Sequence, residues 1–221
     1  MCSICILFKS KLRGKSRTAI RFKDSGINSF HIAVSTGGRD AHLGTLRFIS
    51  SWNGFLASHD QHRMRVDSTT DLERVKGSGK VAVLPGVQDS EHFRSVDDVN
   101  FFHGLGQRVS QLTDNARNLI GNGSTERRDE GLSDFGVAIV ERTNTVGMTV
   151  DVSHCGDRTT LDAFEVSKKP VLIPPSNCRA LVPRAGYKGS YGFQGKERYR
   201  TTDHPRRMFD FQRVLAQTWT M

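Results

Sequence analysis

No run of about 18 apolar residues occurs in the 221-residue sequence, so no helix is predicted to span a bilayer. The apolar start, Met1-Cys2-Ser3-Ile4-Cys5-Ile6-Leu7-Phe8, is too short for a signal-peptide core. Its charges (Lys9, Lys11, Arg13, Lys15, Arg17) follow the apolar stretch instead of preceding it, and no small-residue cleavage site is evident. A cytoplasmic chain is expected. Apolar residues are scarce for a globular protein, at 36%. Cysteine is scarce too, with four in all, of which Cys155 and Cys178 are isolated. Cys2 and Cys5 have the spacing of half a zinc site or of a redox pair. No second Cys or His pair of matching spacing follows, so they are read as free thiols. Acidic residues are missing from residues 1–23 and few after Arg179, and these two ends carry most of the net charge of +9. A basic end can bind nucleic acid or anionic lipid. No aromatic interleaving or RNA-binding signature accompanies this charge, so nucleic acid is not an expected partner and the ends read as solvated.

What the sequence does contain is an alternation of strand-like and helix-like stretches between residues 24 and 183. Residues 27–34 are apolar and β-capable, and residues 43–56 carry apolar side chains at helical spacing. Asp67-Ser68 can cap a helix over residues 67–76, ahead of the buried-strand run Lys80-Val81-Ala82-Val83-Leu84. Pro85-Gly86 punctuates that run, and the proline is expected to interrupt the strand. A short helix over residues 96–105 leads to a strand over 108–113, then to a polar, Gly-rich connection over 118–131 that is long enough to be a site loop. Ser133-Asp134 and Gly147 bracket the clearest helix. The strand Thr149-Val150-Asp151-Val152-Ser153-His154 follows. Asp157 or Thr159 caps a helix to Val166, and Pro170-Val171-Leu172-Ile173-Pro174-Pro175 is the next strand. Strand runs that are apolar throughout and separated by helices indicate a parallel α/β sheet covered on both faces. This pattern fits both an open doubly wound sheet and a partial barrel. After Pro183 it stops, and only residues 208–219 could form a terminal helix.

Several segments resemble the membrane (renal) dipeptidase family, in its bacterial branch. They are Ser78-Gly79-Lys80-Val81-Ala82-Val83-Leu84-Pro85-Gly86-Val87-Gln88, Leu105-Gly106-Gln107-Arg108-Val109-Ser110-Gln111-Leu112-Thr113-Asp114-Asn115, and the stretch 124–136. Gly147-Met148-Thr149-Val150-Asp151-Val152-Ser153-His154 and residues 165–181 complete the set, covering roughly two thirds of the chain. The resemblance implies a β/α (TIM-type) barrel and a two-zinc site that hydrolyses dipeptides. It divides the chain into a basic segment, 1–23, a barrel fragment, 24–183, and a basic tail, 184–221. A complete barrel needs about 250 residues, and this one is expected to be partial, without its first and last two strands.

Position by position, the resemblance transfers little of the zinc site. His154 matches the metal-binding histidine of the fifth strand. Gln88 stands where the family has its bridging Glu, and a neutral amide is a weak ligand. Asp114 replaces a substrate-contacting histidine, and Pro175 replaces the histidine of the sixth strand. No His-x-Asp pair precedes Ser25, and His31 and His42 lack a partner at that spacing. Catalytic zinc usually takes three protein ligands and a water, so zinc is not expected to bind stably and no catalytic or substrate-binding residue is assigned. His154 reads equally as a hydrogen-bonded histidine at a strand end. His59 and His62 read as surface residues, and His92 and His103 as loop or cap residues. Asp97-Asp98 and Asp129-Glu130 are placed at helix starts. The expected protein is a dipeptidase-like fragment without independent catalysis, with dipeptides as the family substrate and a homo-oligomer possible. The alternatives are a non-enzymatic scaffold that binds acidic partners or nucleic acid through its basic ends, and a pseudogene product whose tail reflects a change of frame.

Overall fold

Short apolar strands and capped helices succeed one another along the chain, and several of their boundaries have a local cause. The computed structural model describes residues 28–35, 38–173 and 208–209. In order these form β1 (Ser29–Ser35), α1 (Ala41–Ala57), β2 (Arg63–Arg65), α2 (Thr69–Lys76) and β3 (Val81–Gln88). Next come α3 (Asp97–Gly104), β4 (Val109–Gln111), α4 (Asp134–Val146) and β5 (Thr149–Asp151). The last are α5 (Asp157–Val166), β6 (Val171–Leu172) and β7 (Met208–Phe209). At the start of α2 the Asp71 carboxylate accepts the Ser68 N–H at 2.9 Å, satisfying a donor that the helix leaves free. At α4 the Ser133 hydroxyl accepts the Gly136 N–H at 3.0 Å, and Gly147 ends the helix at φ 80°, a conformation that glycine adopts without Cβ strain.

All the strand pairs are parallel, in the order β1-β3-β4-β5-β6-β7, with β2 beside the first half of β3. This is the mixed α/β architecture of a partial β/α barrel. The register sets two faces. Phe30 and Ile32 lie beside Val83 and Pro85 on the helix side, where Ile32 and Val83 pack with Trp52 and Leu56 of α1. Val150, Val152 and Val171 meet Ile139 and Val140 of α4 and Ala163 of α5 in the larger core. Each such fully buried aliphatic side chain contributes about 1.5–3 kcal/mol. On the opposite, inner face the register aligns Gln88 with the face of Gln111, and Gln111 with Asp151. The outer face is therefore apolar, and the inner face turns polar toward the C-terminal strand ends.

Four expectations need correction. Pro85 does not interrupt β3, which runs through it to Gln88. Its carbonyl accepts the Arg108 N–H at 2.8 Å, so its backbone faces away from β1 and toward β4, and ladder pairing with β4 starts only at Gly86, so the missing proline N–H costs no ladder bond. The fifth strand ends at Asp151, three positions before His154. Helix α5 is entered through Gly156, so neither Asp157 nor Thr159 is its N-cap. Met208–Phe209 pairs as a parallel strand with β6, where a helix was expected to begin. Pro175, Cys2, Cys5, Cys178, the N-terminal basic segment and most of the basic tail lie outside the described residues.

Candidate functional site

The C-terminal ends of β3, β4 and β5 form one rim, because parallel strands in register deliver their last residues to the same side of the sheet. Gln88 closes β3, half-buried. Asp89 follows at φ 64°, in the left-handed region, which a short polar residue tolerates better than most. Its N–H donates to Gln111 Oε1 at 3.2 Å, and its carboxylate accepts Asn118 Nδ2 at 2.8 Å. Burial pushes the Asp89 carboxyl up to about 6, with the Asn118 bond opposing and the charges of Glu91 and Asp114 adding to the rise.

Asn118 organises the loop after β4. Besides Asp89, its amide donates to the Leu112 carbonyl at 2.7 Å, and its Oδ1 accepts the N–H groups of Ile120 (2.8 Å) and Gly121 (3.2 Å). Asp114 accepts Asn115 Nδ2 at 2.9 Å, and Asn115 Oδ1 accepts the Ser124 hydroxyl, also at 2.9 Å. The far end of this loop is tied to α5. Asp129 accepts the Arg158 N–H at 2.6 Å and the Thr159 hydroxyl at 3.3 Å. Asp129 was expected to serve a nearby helix start. It instead caps a helix 29 positions further on, whose own N-cap glycine has no side chain to offer.

His154 sits just past β5 at φ 64°. Its carbonyl accepts the N–H groups of Ser124 (2.9 Å) and Asn115 (3.3 Å), so its backbone holds the loop to the rim. Its Nδ1 is buried with no hydrogen-bond partner. Burial lowers its pKa, opposed by the Asp114 charge, so the ring favours the neutral form that a metal ligand needs. A zinc site needs more than this. Gln88 is an uncharged amide, and Asp114 is engaged with Asn115. Among the described residues no group of three or more His, Cys, Asp or Glu side chains could hold a metal ion. The residues described here therefore do not fit a resident zinc, whose catalytic form usually takes three protein ligands.

Three buried groups were given no site role from the sequence. Asp151 is fully buried, its Oδ1 accepting the Ser153 N–H at 2.7 Å, and burial pushes its carboxyl up to about 7. A carboxylate inside the otherwise apolar Val150-Asp151-Val152 run was the available signal. His31 has a buried Nε2 without a partner, and burial pushes its pKa down to about 4. A Cβ on Gly86 would run into the His31 ring, so that glycine makes room for the imidazole. His92, expected in a loop or cap, is fully buried between Phe93 and Phe102, with Nε2 donating to Gln107 Oε1 at 3.0 Å. Burial pushes its pKa down to about 4 as well. Cys155 is a buried thiol pushed up to about 12, which leaves it unreactive. His62 is exposed and His59 half-buried, in a turn and not on a helix face.

Comparison with known proteins identifies the family of the chain. A family model described as membrane dipeptidase (peptidase family M19) matches residues 17–185. Dipeptidase tcpJ of Claviceps purpurea is 35% identical over 116 residues, which cover 51% of this chain and 27% of that protein. An amidohydrolase structure from Pseudomonas aeruginosa superposes with a TM-score of 0.72 at 29% identity, covering 80% of this chain and 54% of that one. A metallopeptidase from Rhodobacter sphaeroides, liganded with a phosphinate mimic of L-Ala-D-Ala, superposes with a TM-score of 0.67 over 74% of this chain and 57% of its own. At 17% identity that likeness shows the fold alone. The chain spans roughly a quarter to a third of the length of the curated relatives it matches.

Proposed function

Because the chain belongs to the membrane dipeptidase family, we propose that it derives from that family's reaction, zinc-dependent hydrolysis of dipeptides, and that on its own it carries the barrel scaffold without the turnover. The observation that carries this reading is the ligand set at the rim: His154 and Gln88 stand there, and no group of three or more His, Cys, Asp or Glu side chains among the described residues could hold a metal ion. Hydrolysis of an amide by a two-metal centre needs paired cations to polarise the carbonyl and to acidify the attacking water. An imidazole and an amide provide no anionic bridge between two such cations. Pro175, at the family's sixth-strand histidine, removes one more donor by its chemistry alone.

The remaining rim groups hold the loop. Asp89 bonds both Asn118 and Gln111, and the N–H groups of Asn115 and Ser124 are tied to the His154 carbonyl. The test is hydrolysis of a dipeptide panel that includes L-Ala-D-Ala, by purified full-length chain supplied with excess Zn²⁺. The expected rate is that of buffer containing the same zinc. Turnover that disappears in His154→Ala would overturn the proposal.

A further inference from the structure

Arg63 opens β2 at the N-terminal end of the sheet, away from the rim of strand ends. It is 8% exposed, and no other lysine or arginine among the described residues is buried. Burying a charge is unfavourable unless a counter-charge or hydrogen bonds replace the lost water. Two neighbouring arginines obey this rule. Arg65 and Arg108 share the Asp67 carboxylate, each at 2.9 Å, and Arg65 also donates to Asn53 Oδ1 at 2.9 Å. Arg63 does not. Among the described residues its side chain makes no ion pair and donates no hydrogen bond, and Asp60, three positions earlier, is exposed. Burial lowers its pKa, with no carboxylate opposing the fall. The sealed, unpartnered side-chain atoms of the described residues include no Arg63 nitrogen, so its unpaired N–H groups keep contact with solvent. What holds the guanidinium is the face of Phe55, 5.3 Å away at the ring centroid. His59 lies on the same ring, with centroids 4.3 Å apart, and its Nδ1–H donates to the Phe55 carbonyl at 2.9 Å.

We propose that Arg63 forms a small oxyanion site at the N-terminal end of the sheet, its guanidinium seated on Phe55 and its free N–H fork taking a carboxylate or phosphate group. A planar guanidinium presents parallel N–H donors at the spacing of two such oxygens, and pairs with them more strongly than with neutral acceptors. The aromatic face attracts the cation without consuming any of its N–H groups. The stack therefore steadies the head and leaves the donors for a ligand. An anion paired with this recessed cation is less screened by salt than one at an exposed arginine. The site lies at the opposite end of the strands from Gln88 and His154, so the inference does not depend on the metal chemistry of the rim.

Thermal unfolding of the full-length chain in inorganic phosphate, compared with chloride at the same pH and ionic strength, is the first measurement. A ligand that binds only the native state raises the melting temperature, and a rise of about 2–4 °C is expected. Arg63→Met keeps an apolar stem over Phe55 and removes the fork, and it is expected to lose that rise. Arg47→Met, at an exposed arginine of α1, is expected to keep it, which separates the site from general attraction to basic side chains. Acetate in a parallel arm distinguishes the sources. A response to both anions admits carboxylates, and a response to phosphate alone restricts the site to phosphate groups. No rise in the wild type, or an equal rise in Arg63→Met, would overturn the proposal. The Arg63 Nε–H resonance, followed by NMR as phosphate is added to the wild type, needs no folded variant. It is expected to shift and saturate, and a resonance that stays in place would overturn the proposal equally.

Discussion

Asp151 shows how a single residue can record both a fold and a departure from ordinary packing. Its carboxyl is fully buried, accepts one backbone N–H, and is pushed up to about 7. A folded-state pKa above the unfolded value means that the native state holds the extra proton. This group therefore makes stability fall as pH rises from about 4 to about 7. His31 and His92 act with the opposite sign. Both are pushed down to about 4, so their contribution is lost as pH falls from about 6.5 toward 4. Asp151→Asn keeps an acceptor for Ser153 and removes the ionisation. Thermal unfolding followed from pH 4 to 8 is expected to show this variant stabilised at pH 7.5 and above, by at most a few kcal/mol. Between pH 4 and 6.5 its melting temperature is expected to rise more steeply with pH than that of the wild type. Equal melting temperatures across the whole range would show that Asp151 ionises freely.

Gly86 is the second informative residue. A methyl group there meets the His31 ring, so Gly86→Ala is expected to destabilise by about 1–3 kcal/mol. His31→Ala clears the space, and the double variant is expected to recover most of that loss. A double-mutant cycle in urea measures the coupling, and strictly additive effects would place the imidazole elsewhere.

At the scale of elements, the boundaries that were legible in the sequence are those with a local cause. Ser133 and Gly147 announce α4 because a hydroxyl cap and a left-handed glycine act within a few residues. The run from Val81 to Leu84 announces β3 because burial on both faces demands uninterrupted apolar residues. What the sequence hid depends on distant partners. Pro85 is tolerated within β3 only because β4 starts one residue later. Met208–Phe209 is held as a strand by Val171–Leu172, and no periodicity of its own declares it. Helix α5 starts without a side-chain cap of its own, and Asp129 supplies one from the loop. Asp129→Ala is expected to cost about 1 kcal/mol. It is also expected to raise hydrogen exchange at Arg158 and Gly131, while Asn118 keeps the other end of the loop protected. Unchanged exchange at Arg158 would remove Asp129 as the cap.

At the scale of the whole molecule, the proposal is that the signature of the family and the chemistry of the family have separated. Strand order, parallel register and the rim of strand ends are those of a β/α barrel, and these rest on apolar patterning spread over many residues. A metal site rests on a handful of residues, each of which a single substitution can remove. The substitutions on which the proposed loss rests, Gln88, Asp114 and Pro175, are legible in the sequence itself. The sequence did not expose what holds the rim together. Asn118, Asn115 and Asp89 are ordinary polar residues in a loop until the fold brings them within hydrogen-bond distance.

Zinc occupancy tests this separation most directly. Metal-free, full-length chain is dialysed to equilibrium against micromolar Zn²⁺, and bound metal is counted by mass spectrometry for the wild type and for His154→Ala. Well under one zinc per chain is expected, with no difference between the two proteins. One or two zinc ions per wild-type chain, lost in His154→Ala, would contradict the account and restore the rim as a metal centre.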